Sequence, residues 1–398
     1  MKKIILLLYI NDNSMDYKEE FKEMSPYNDN EVSVVVKRLI KCPEFFSILK
    51  FVYPGRNITN VLNEFKQIKK VDEFQTLFSS YAVSQIINKT SDGLTYNGLD
   101  NLEKNKSYLF IANHRDIVMD SAIMLWLLKE NNYRKVQITF GSNLMSSQFI
   151  IDLGKLNKMF TLYRGGTRRE IYFHALLHSA YIKEVLLNRK ESVWIAQRDG
   201  RTKDGNDHVQ SALLKMLLIK QTDLFSKLQE LNIVPATISY EIEPCDVSKI
   251  KEKYITNVCK KEYIKSEKED FTSVINGIVS PKGKINISIG KPLNIFLNEH
   301  SELTDLPLDE LVNTVCEYMD KQGYLNYKLY PFNFIAYDRL AGTNDFLNKK
   351  YTTEDINKFD NLLKNKKKSS EIIDPVFEKM FLEMYSAPVK NLKKVQDF

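Results

Sequence analysis

Cysteine is scarce in this chain, and its spacing argues against several kinds of site. The four cysteines are Cys42, Cys245, Cys259 and Cys316, and no two of them form a Cys-x-x-Cys pair. Such a pattern is typical neither of a zinc site nor of a disulfide framework. We therefore expect a protein of a reducing compartment such as the cytosol.

Long apolar runs are also missing. No segment of the sequence reaches the roughly 18 consecutive apolar residues that a membrane-spanning helix needs. The apolar run at residues 4–10 lies at the short limit for a signal-peptide core, and no small-residue cleavage pattern follows it. Two interpretations of residues 1–14 stay open, a misassigned start and a frayed strand.

The chain lacks a strong excess of charge of one sign. It has 57 Lys and Arg residues against 51 Asp and Glu residues, which gives a net charge of +6. So mild an excess does not single out nucleic acid as a partner, and it suits a membrane surface or a phosphorylated substrate equally well. Hydrophobic residues make up an ordinary 43% of the 398 residues, enough to bury a globular core.

Apolar runs and helical patterns alternate over residues 91–300, which predicts an α/β domain with a largely parallel central sheet flanked by helices. Strands are predicted at 94–97, 108–112, 135–140, 159–163, 192–197, 233–240 and 284–289. Helices are predicted between them at 117–130, 167–189 and 208–220. The remaining chain divides into an N-terminal tail at 1–24, a helical segment at 25–90 and a helical C-terminal segment at 301–398.

The N-terminal helical segment has two interpretations. One helix is capped at residues 28–30 and runs to about Lys41, and a second begins at Pro43 and ends near Tyr53. Aromatic and basic residues interleave here, namely Phe45, Phe46, Phe51, Tyr53, Lys37, Arg38, Lys41 and Lys50. The segment is either an interfacial element on anionic lipid or a helical pair packed on the main domain with solvated lysines.

The C-terminal helical segment contains the basic run Lys366–Lys368. We interpret this run as a solvated helix end, with lipid contact the less favoured interpretation.

The first stretch that carries chemistry is a buried strand, a polar turn and a helix at residues 108–130. The turn holds His114 and Asp116, and Asp120 lies in the helix. Such units present reactive groups at the carboxyl ends of strands. A histidine with carboxylates two and six residues away is a candidate general base, and either carboxylate is a candidate for the group that orients it. Taken alone, a turn of this kind is more often a surface loop with a helix cap.

Two basic turns follow later strands. Arg164 ends the strand at 159–163, before two glycines and a helix with a capping box at Thr167, and this favours a phosphate-binding corner. The loop after the strand at 192–197 contains Arg198, Asp199, Arg201 and Lys203, a second candidate phosphate contact. Each turn by itself is equally compatible with a basic surface loop. The strand at 233–240 has Pro235 near its start, which is expected only at a sheet edge or a strand beginning.

In order and spacing, these stretches resemble the four motif blocks of the glycerolipid acyltransferase superfamily over residues 105–245. The blocks are His114 with Asp120, Phe160 to Arg164, Asp199-Gly200-Arg201-Thr202, and Val234-Pro235 through Tyr240. The strand at 284–289 followed by Gly290 and Pro292 resembles a late block of the same family. The chain departs from the family at His114, where five residues instead of four precede the aspartate.

The resemblance implies that His114 is the general base and that a carboxylate holds its tautomer. We predict Asp120 for this role because its side chain projects back toward the start of its helix, with Asp116 as the alternative. A wider turn or a π-type bulge would absorb the extra residue. The resemblance further implies the substrate-binding residues Asn113, Arg115, Arg164, Asp199, Gly200, Arg201 and Lys203. Asn113 or backbone N–H groups would stabilise the oxyanion.

The resemblance implies acyl transfer from acyl-CoA or acyl-ACP to glycerol-3-phosphate or a lysophospholipid, without a resident cofactor or metal. His174 and His178 lack the metalloprotease arrangement and are predicted to be structural.

The expected partners are the acyl donor and a phospholipid membrane surface, with no nucleic acid. The expected location is cytoplasmic, peripheral on the inner face of the cell membrane. Two alternatives stay open, acyl transfer to another lipid such as an amino-acid lipid, and a non-catalytic protein that binds lipid or nucleic acid.

Overall fold

The computed structural model describes residues 17–396 except 267, 371, 373 and 374. The two interpretations of residues 1–14 lie outside these described residues. Every strand predicted from the sequence is present: β1 Ser91–Asn97, β2 Leu109–Ala112, β3 Val136–Gly141, β4 Met159–Leu162, β5 Ser192–Ala196, β6 Ile233–Tyr240 and β7 Gly283–Ile289.

These strands form one sheet in the order β1-β7-β6-β2-β5-β3-β4. The five strands from β6 to β4 run parallel to one another. β7 pairs antiparallel with β6, and β1 pairs parallel with β7. The predicted α/β class with a largely parallel sheet is therefore confirmed, and the two strands beyond β6 run in the opposite direction.

The central strand β2 shows why the sheet is buried on both faces. Leu109 and Ile111 pack into one hydrophobic core, and Phe110 and Ala112 pack into a second. Successive side chains of a strand point to opposite faces, so a continuous apolar run fills both cores at once. Helices cover each face, as a parallel sheet requires.

The helices before the sheet are Lys18–Met24, Asp29–Leu39, Pro43–Val52, Ile58–Lys66, Val71–Phe74 and Tyr81–Thr90. Those within the α/β region are Met119–Glu130, Gln148–Leu156, Arg168–Lys183, Ser211–Leu217, Leu224–Glu230, Asp246–Lys253, Glu269–Val279 and Leu293–Glu299. The helix predicted at 208–220 is shorter than expected, and the pattern missed the helices at 148–156, 224–230, 246–253 and 269–279. Those at 148–156, 224–230 and 246–253 span at most nine residues, too few for a clear helical period.

The tail predicted at 1–24 is too long, because Lys18–Met24 is a helix that packs on the domain. Met24 is fully buried in the core that contains Leu109, and Phe21 stacks edge-on against Tyr181 at 5.2 Å. This short helix therefore belongs to the folded part of the chain.

The aromatic residues of the N-terminal helices point mainly inward. Phe45 and Tyr53 are buried in a hydrophobic cluster and Phe51 is partly buried, whereas Phe46 is exposed with the Lys50 ammonium 4.6 Å from its ring centre. Arg38 pairs with the buried Asp152. This packing favours the helical pair with solvated lysines over the interfacial element.

The helices after the sheet are Leu308–Asn326, Pro331–Ala341, Thr353–Ser369 and Val376–Lys393. The predicted basic run lies at the end of the third of these helices. Lys366 reaches Asp246, with 2.7 Å between its Nζ and Oδ1, and Lys367 lies 3.7 Å from Glu378. Ion pairs within the protein therefore engage part of this run.

Pro235 lies near the start of β6, an interior strand, so of the two expected positions it occupies the strand beginning and not a sheet edge. The proline is the third residue of the strand, and the β6–β7 pairing runs only from Ala236 to Tyr240. Its carbonyl accepts a hydrogen bond from the Gly290 N–H at 2.8 Å. A proline is tolerated here because β7 has already ended where the missing N–H would otherwise be needed.

His178 has the structural role predicted for it. Its Nε2 accepts a hydrogen bond from the Tyr163 N–H at 2.9 Å, which requires that Nε2 carries no proton. Burial, with a smaller contribution from His174, lowers the pKa of His178 to about 3. The unfolded chain therefore takes up a proton near pH 6.5 that the folded protein does not accept until about pH 3.

We expect His178 to weaken the fold progressively as the pH falls from about 6.5 toward 3, by about 1.4 kcal/mol per pH unit. His178→Gln keeps an acceptor for the Tyr163 N–H and removes the titration. The slope of the free energy of unfolding against pH, measured by urea denaturation between pH 6 and 4, should be smaller in this variant by that amount. His300→Gln, at an exposed position, is the control, and equal slopes in all three proteins would contradict the expectation.

Candidate active site

Three of the four predicted blocks meet at the carboxyl ends of parallel strands. β2 leads into His114, β5 leads into the loop at 197–205, and β6 ends at Tyr240. The Gln197 N–H donates to the Ala112 carbonyl and the Thr202 N–H donates to the His114 carbonyl, each at 2.8 Å. These two hydrogen bonds fix the loop after β5 directly beside the histidine turn.

His114 faces Asp120. The distance from His114 Nδ1 to Asp120 Oδ2 is 3.0 Å, and the imidazole is 15% exposed whereas the carboxylate is buried. An ionised carboxylate only accepts hydrogen bonds, so Nδ1 carries the proton and Nε2 is left as the basic nitrogen. Trp194 lies edge-on to the imidazole with 5.7 Å between ring centres, which limits where the ring can move.

Asp120 is held from several sides. Its Oδ2 also accepts the N–H groups of Arg115 at 2.6 Å and Asp116 at 2.8 Å, and its Oδ1 accepts the Tyr240 hydroxyl at 2.9 Å. Asp120 is thus a buried carboxylate with a fixed orientation toward His114.

Asp116 is occupied with the start of the helix. Its Oδ1 accepts the N–H groups of Val118 and Met119 at 2.9 and 2.8 Å. The helix begins at Met119, two residues later than predicted, so Asp116 caps it from outside through a turn over residues 115–118. This wider turn, without a π-type bulge, absorbs the residue by which the chain departs from the family spacing.

The second oxygen of Asp116 faces the helix Glu269–Val279. Asp116 Oδ2 has no hydrogen-bond partner among the described residues, and it lies so close to Gly277 that a Cβ there would approach it to 2.0 Å. Burial, and then the charge of Asp120, raise the pKa of Asp116. Only glycine fits at this contact between the helix and the turn that carries His114.

Arg115 and Asn113 do not line the site as predicted. The Arg115 guanidinium is buried and forms ion pairs with Asp207 at 2.6 Å and Glu243 at 2.9 Å. Asn113 donates to Asp207 and bonds both the N–H and the C=O of Ile238 in β6. The polar groups of both side chains bond partners inside the protein, so neither side chain is available to a phosphate or an oxyanion.

Four residues that no sequence pattern assigned to the site support the histidine turn, namely Tyr240 as a partner of Asp120, and Asp207, Glu243 and Lys249. The Lys249 ammonium donates to the Arg115 carbonyl at 2.7 Å and to Glu243 at 2.6 Å. The fourth motif block pointed to Tyr240 without a role. No local signal identifies Lys249, because it lies 134 residues from Arg115 in the chain.

The remaining predicted residues surround the loop after β5. Arg164 forms a 2.5 Å ion pair with Asp199, which links the second block to the third, and Lys203 pairs with Glu252. Gly200 has a φ of +73°, which other residues rarely adopt. The Nη1 atom of Arg201 is buried without a hydrogen-bond partner among the described residues. A buried cationic donor left unpaired beside the His114 turn is suited to an anionic ligand.

Comparison with protein families decides what this arrangement represents. Residues 93–239 match the family model described as Acyltransferase. This segment is an acyltransferase domain. The resemblance inferred from the motif blocks is thereby confirmed over β1 to β6, and every predicted site residue lies inside the matched range.

Two features of this acyltransferase lie outside the matched segment. The helix Glu269–Val279, which contacts Asp116, belongs to the connection between β6 and β7, and Lys249 lies in the same connection. The family match also favours an enzyme over the non-catalytic binding protein considered from composition.

Other comparisons add little. The chain is similar to a solved structure of the 1-acyl-sn-glycerophosphate acyltransferase PlsC from Thermotoga maritima, at 13% identity and a TM-score of 0.32, over 70% of this chain and 95% of that chain. That superposition is too loose to support an argument about the site. No curated protein sequence matches the chain significantly. Among the described residues, no helix is both long enough and apolar enough to cross a membrane.

Proposed function

We propose that this acyltransferase transfers a fatty acyl group from acyl-CoA or acyl-ACP to the hydroxyl of glycerol-3-phosphate or a lysophospholipid, while bound peripherally to a membrane. The observation that carries the proposal is the His114–Asp120 pair beside the unpaired guanidinium nitrogen of Arg201. A base and a phosphate contact at one sheet edge suit an acceptor with both a hydroxyl and a phosphate.

His114 supplies the base. The acceptor hydroxyl is a weak acid, and Nε2 takes its proton as the oxygen attacks the thioester carbonyl. The Asp120 carboxylate stabilises the imidazolium that forms, and the hydrogen bonds from the Arg115 and Asp116 N–H groups keep this carboxylate in place. The proton then passes to the departing thiolate, so no covalent intermediate with the protein is needed.

Arg201 and Arg164 supply the acceptor contact. Arg201 follows Gly200 and precedes Thr202, whose N–H is bonded to the His114 carbonyl, so the backbone fixes it next to the base. Arg164 is 35% exposed and its partner Asp199 is 74% exposed, so this ion pair is open to exchange with a phosphate. Holding the phosphate positions the hydroxyl for attack.

The experiment is to follow free thiol release from a long-chain acyl-CoA and an acyl-ACP with a panel of acceptors. The panel contains glycerol-3-phosphate, a lysophosphatidic acid, a monoacylglycerol and a hydroxylated amino-acid lipid. Acceleration by the two phosphorylated acceptors alone supports the proposal. Acceleration by the amino-acid lipid instead would establish the alternative acceptor, and no acceleration by any acceptor would overturn acyl transfer to lipids.

Arg201→Gln is expected to reduce kcat/KM for the phosphorylated acceptors by about 10- to 150-fold, because a hydrogen bond to a charged group contributes about 1.5–3 kcal/mol. The loss should appear mainly in the acceptor KM, since the phosphate is bound equally before and during the reaction. Arg134→Gln, whose guanidinium donates to the backbone carbonyls of Asn105 and Lys190 at the amino ends of β2 and β5, is the matched control. An equal loss with phosphorylated acceptors and monoacylglycerol would rule out Arg201 as the phosphate contact.

A further inference from the structure

The backbone of the turn that carries His114 holds Asp120 in place. The N–H groups of Arg115 and Asp116 both donate to Asp120 Oδ2, at 2.6 and 2.8 Å. These N–H groups belong to two successive trans peptide groups, and in a trans peptide the C=O points away from the N–H. A group that holds either carbonyl on the far side therefore also sets the direction of the N–H that reaches Asp120.

Each of the two carbonyls has such a partner. The His114 carbonyl accepts the Thr202 N–H at 2.8 Å, and the Arg115 carbonyl accepts the Lys249 ammonium at 2.7 Å. The first contact is an ordinary backbone hydrogen bond. The second comes from a full positive charge, and charge-assisted hydrogen bonds are roughly twice as strong as neutral ones. An ammonium on the carbonyl oxygen also polarises the peptide group, which makes its N–H a better donor to Asp120.

Lys249 is itself fixed at this carbonyl. Its side chain is 2% exposed, and its ammonium lies 2.6 Å from Glu243 Oε1. Glu243 Oε2 pairs with the Arg115 guanidinium at 2.9 Å, and the Glu243 N–H donates to the Tyr385 hydroxyl at 3.0 Å. Tyr385 belongs to the last helix of the chain. The C-terminal helical segment therefore supports the carboxylate that holds the ammonium.

A buried lysine is costly, and the core alone does not require one here. Desolvation of an ammonium is expensive, and apolar side chains of similar size often stabilise a core as well as a buried ion pair does. Asp207 already pairs with the Arg115 guanidinium at 2.6 Å, so Lys249 and Glu243 form a second, balanced pair of charges. An apolar pair could replace those charges, but it could not supply a donor to the Arg115 carbonyl.

We propose that Lys249 is a positioning residue for acyl transfer. It acts through the peptide group that follows Arg115 and keeps Asp120 directed at His114. This role rests on the proposed function, in which His114 is the base, and it extends the site beyond the segment that matches the family model, which ends at residue 239. Because Lys249 is buried, it does not contact the substrate. Its loss should therefore lower kcat and leave the KM values of both substrates unchanged.

The test compares three variants of the full chain. Lys249→Met removes the ammonium and keeps the length of the side chain, and Lys249→Met/Glu243→Gln also neutralises the carboxylate that has lost this partner. Lys158→Met is the matched control, because Lys158 is only 14% exposed and also pairs with a glutamate, at 2.9 Å, but at the amino ends of β4 and β5. Thermal melts show whether each variant is folded. If Lys249→Met does not fold, Lys249→Gln is measured in its place with the same expectations.

Turnover is measured with a long-chain acyl-CoA and whichever of glycerol-3-phosphate and lysophosphatidic acid reacts faster. Lys249→Met should lower kcat by about 10- to 100-fold, since a misplacement of about 1 Å can cost about 100-fold. The double variant should stay equally slow, because it does not restore the donor to the Arg115 carbonyl, and Lys158→Met should turn over normally. Recovery in the double variant would overturn the proposal, because Lys249 would then serve only to balance Glu243. Near-normal kcat in folded Lys249→Met would overturn it as well.

Amide hydrogen exchange tests the same role without any substrate. Relative to the amides of β2, the N–H groups of Arg115 and Asp116 should exchange about tenfold or more faster in Lys249→Met than in the unaltered protein. Unchanged relative exchange of both turn amides would overturn the proposal. Absence of turnover by the unaltered protein with every acceptor, or normal turnover by His114→Ala, would instead count against the proposed function. Neither of those two outcomes changes what the exchange rates show about the Lys249 contact.

Discussion

His114→Ala is expected to lower kcat by a factor of about 100 to 10,000, the usual contribution of a positioned general base. The imidazole has Nδ1 fixed by Asp120, and no described residue bonds Nε2, so alanine removes the proposed base. The KM for the acyl donor should change little, because the base acts in the transition state. Thiol release under saturating donor and acceptor measures the effect.

The fold should survive this substitution, since the imidazole is partly exposed and makes one side-chain hydrogen bond. A thermal melt of the variant checks this directly. His174→Ala, on the helix Arg168–Lys183, is a comparison in which a histidine is lost away from the base. Near-normal turnover in a folded His114→Ala protein would end the assignment of His114 as the base.

Asp120→Asn is expected to lower kcat by about 100-fold or more, again on the scale of general-base catalysis. Asparagine has nearly the same shape, and its oxygen can still accept the N–H groups that Oδ2 accepts now. What it removes is the negative charge that stabilises the imidazolium when His114 takes the proton. The Tyr240 hydroxyl can turn to accept from the new amide, so stability should change little.

Asp116→Asn is the matched control, because it changes a neighbouring carboxylate in the same turn. The asparagine oxygen retains the cap on Val118 and Met119. The substitution also removes a buried charge close to Asp120, so the free energy of unfolding should stay equal or rise slightly. We expect turnover to fall much less than in Asp120→Asn. If Asp116→Asn is the inactive variant and Asp120→Asn is active, the roles of the two carboxylates are reversed.

Local patterns determined much of this molecule. The central strands β2 and β5 are apolar runs bounded by polar turns, and such runs are easy to recognise because burial on both faces leaves little place for polar residues. The direction of the Asp120 side chain followed from the geometry of a helix start, and the distance of 3.0 Å to His114 agrees with it. The four short blocks located the acyltransferase domain before any contact was known.

Tertiary structure alone decided which polar residues of those blocks face the substrate. Arg115 lies next to His114 in the chain, yet successive residues in a turn point in different directions, and Arg115 points into a buried ion network. Its partners Asp207 and Glu243 come from distant segments, and no local pattern encodes a charge pair made across more than ninety residues. The same holds for Gly277, whose contact with Asp116 brings the helix at 269–279 onto the turn that carries His114. Sequence determined the elements and the chemistry at their ends, because both depend on neighbours along the chain. The packing of distant segments decided exposure, because burial depends on neighbours in space.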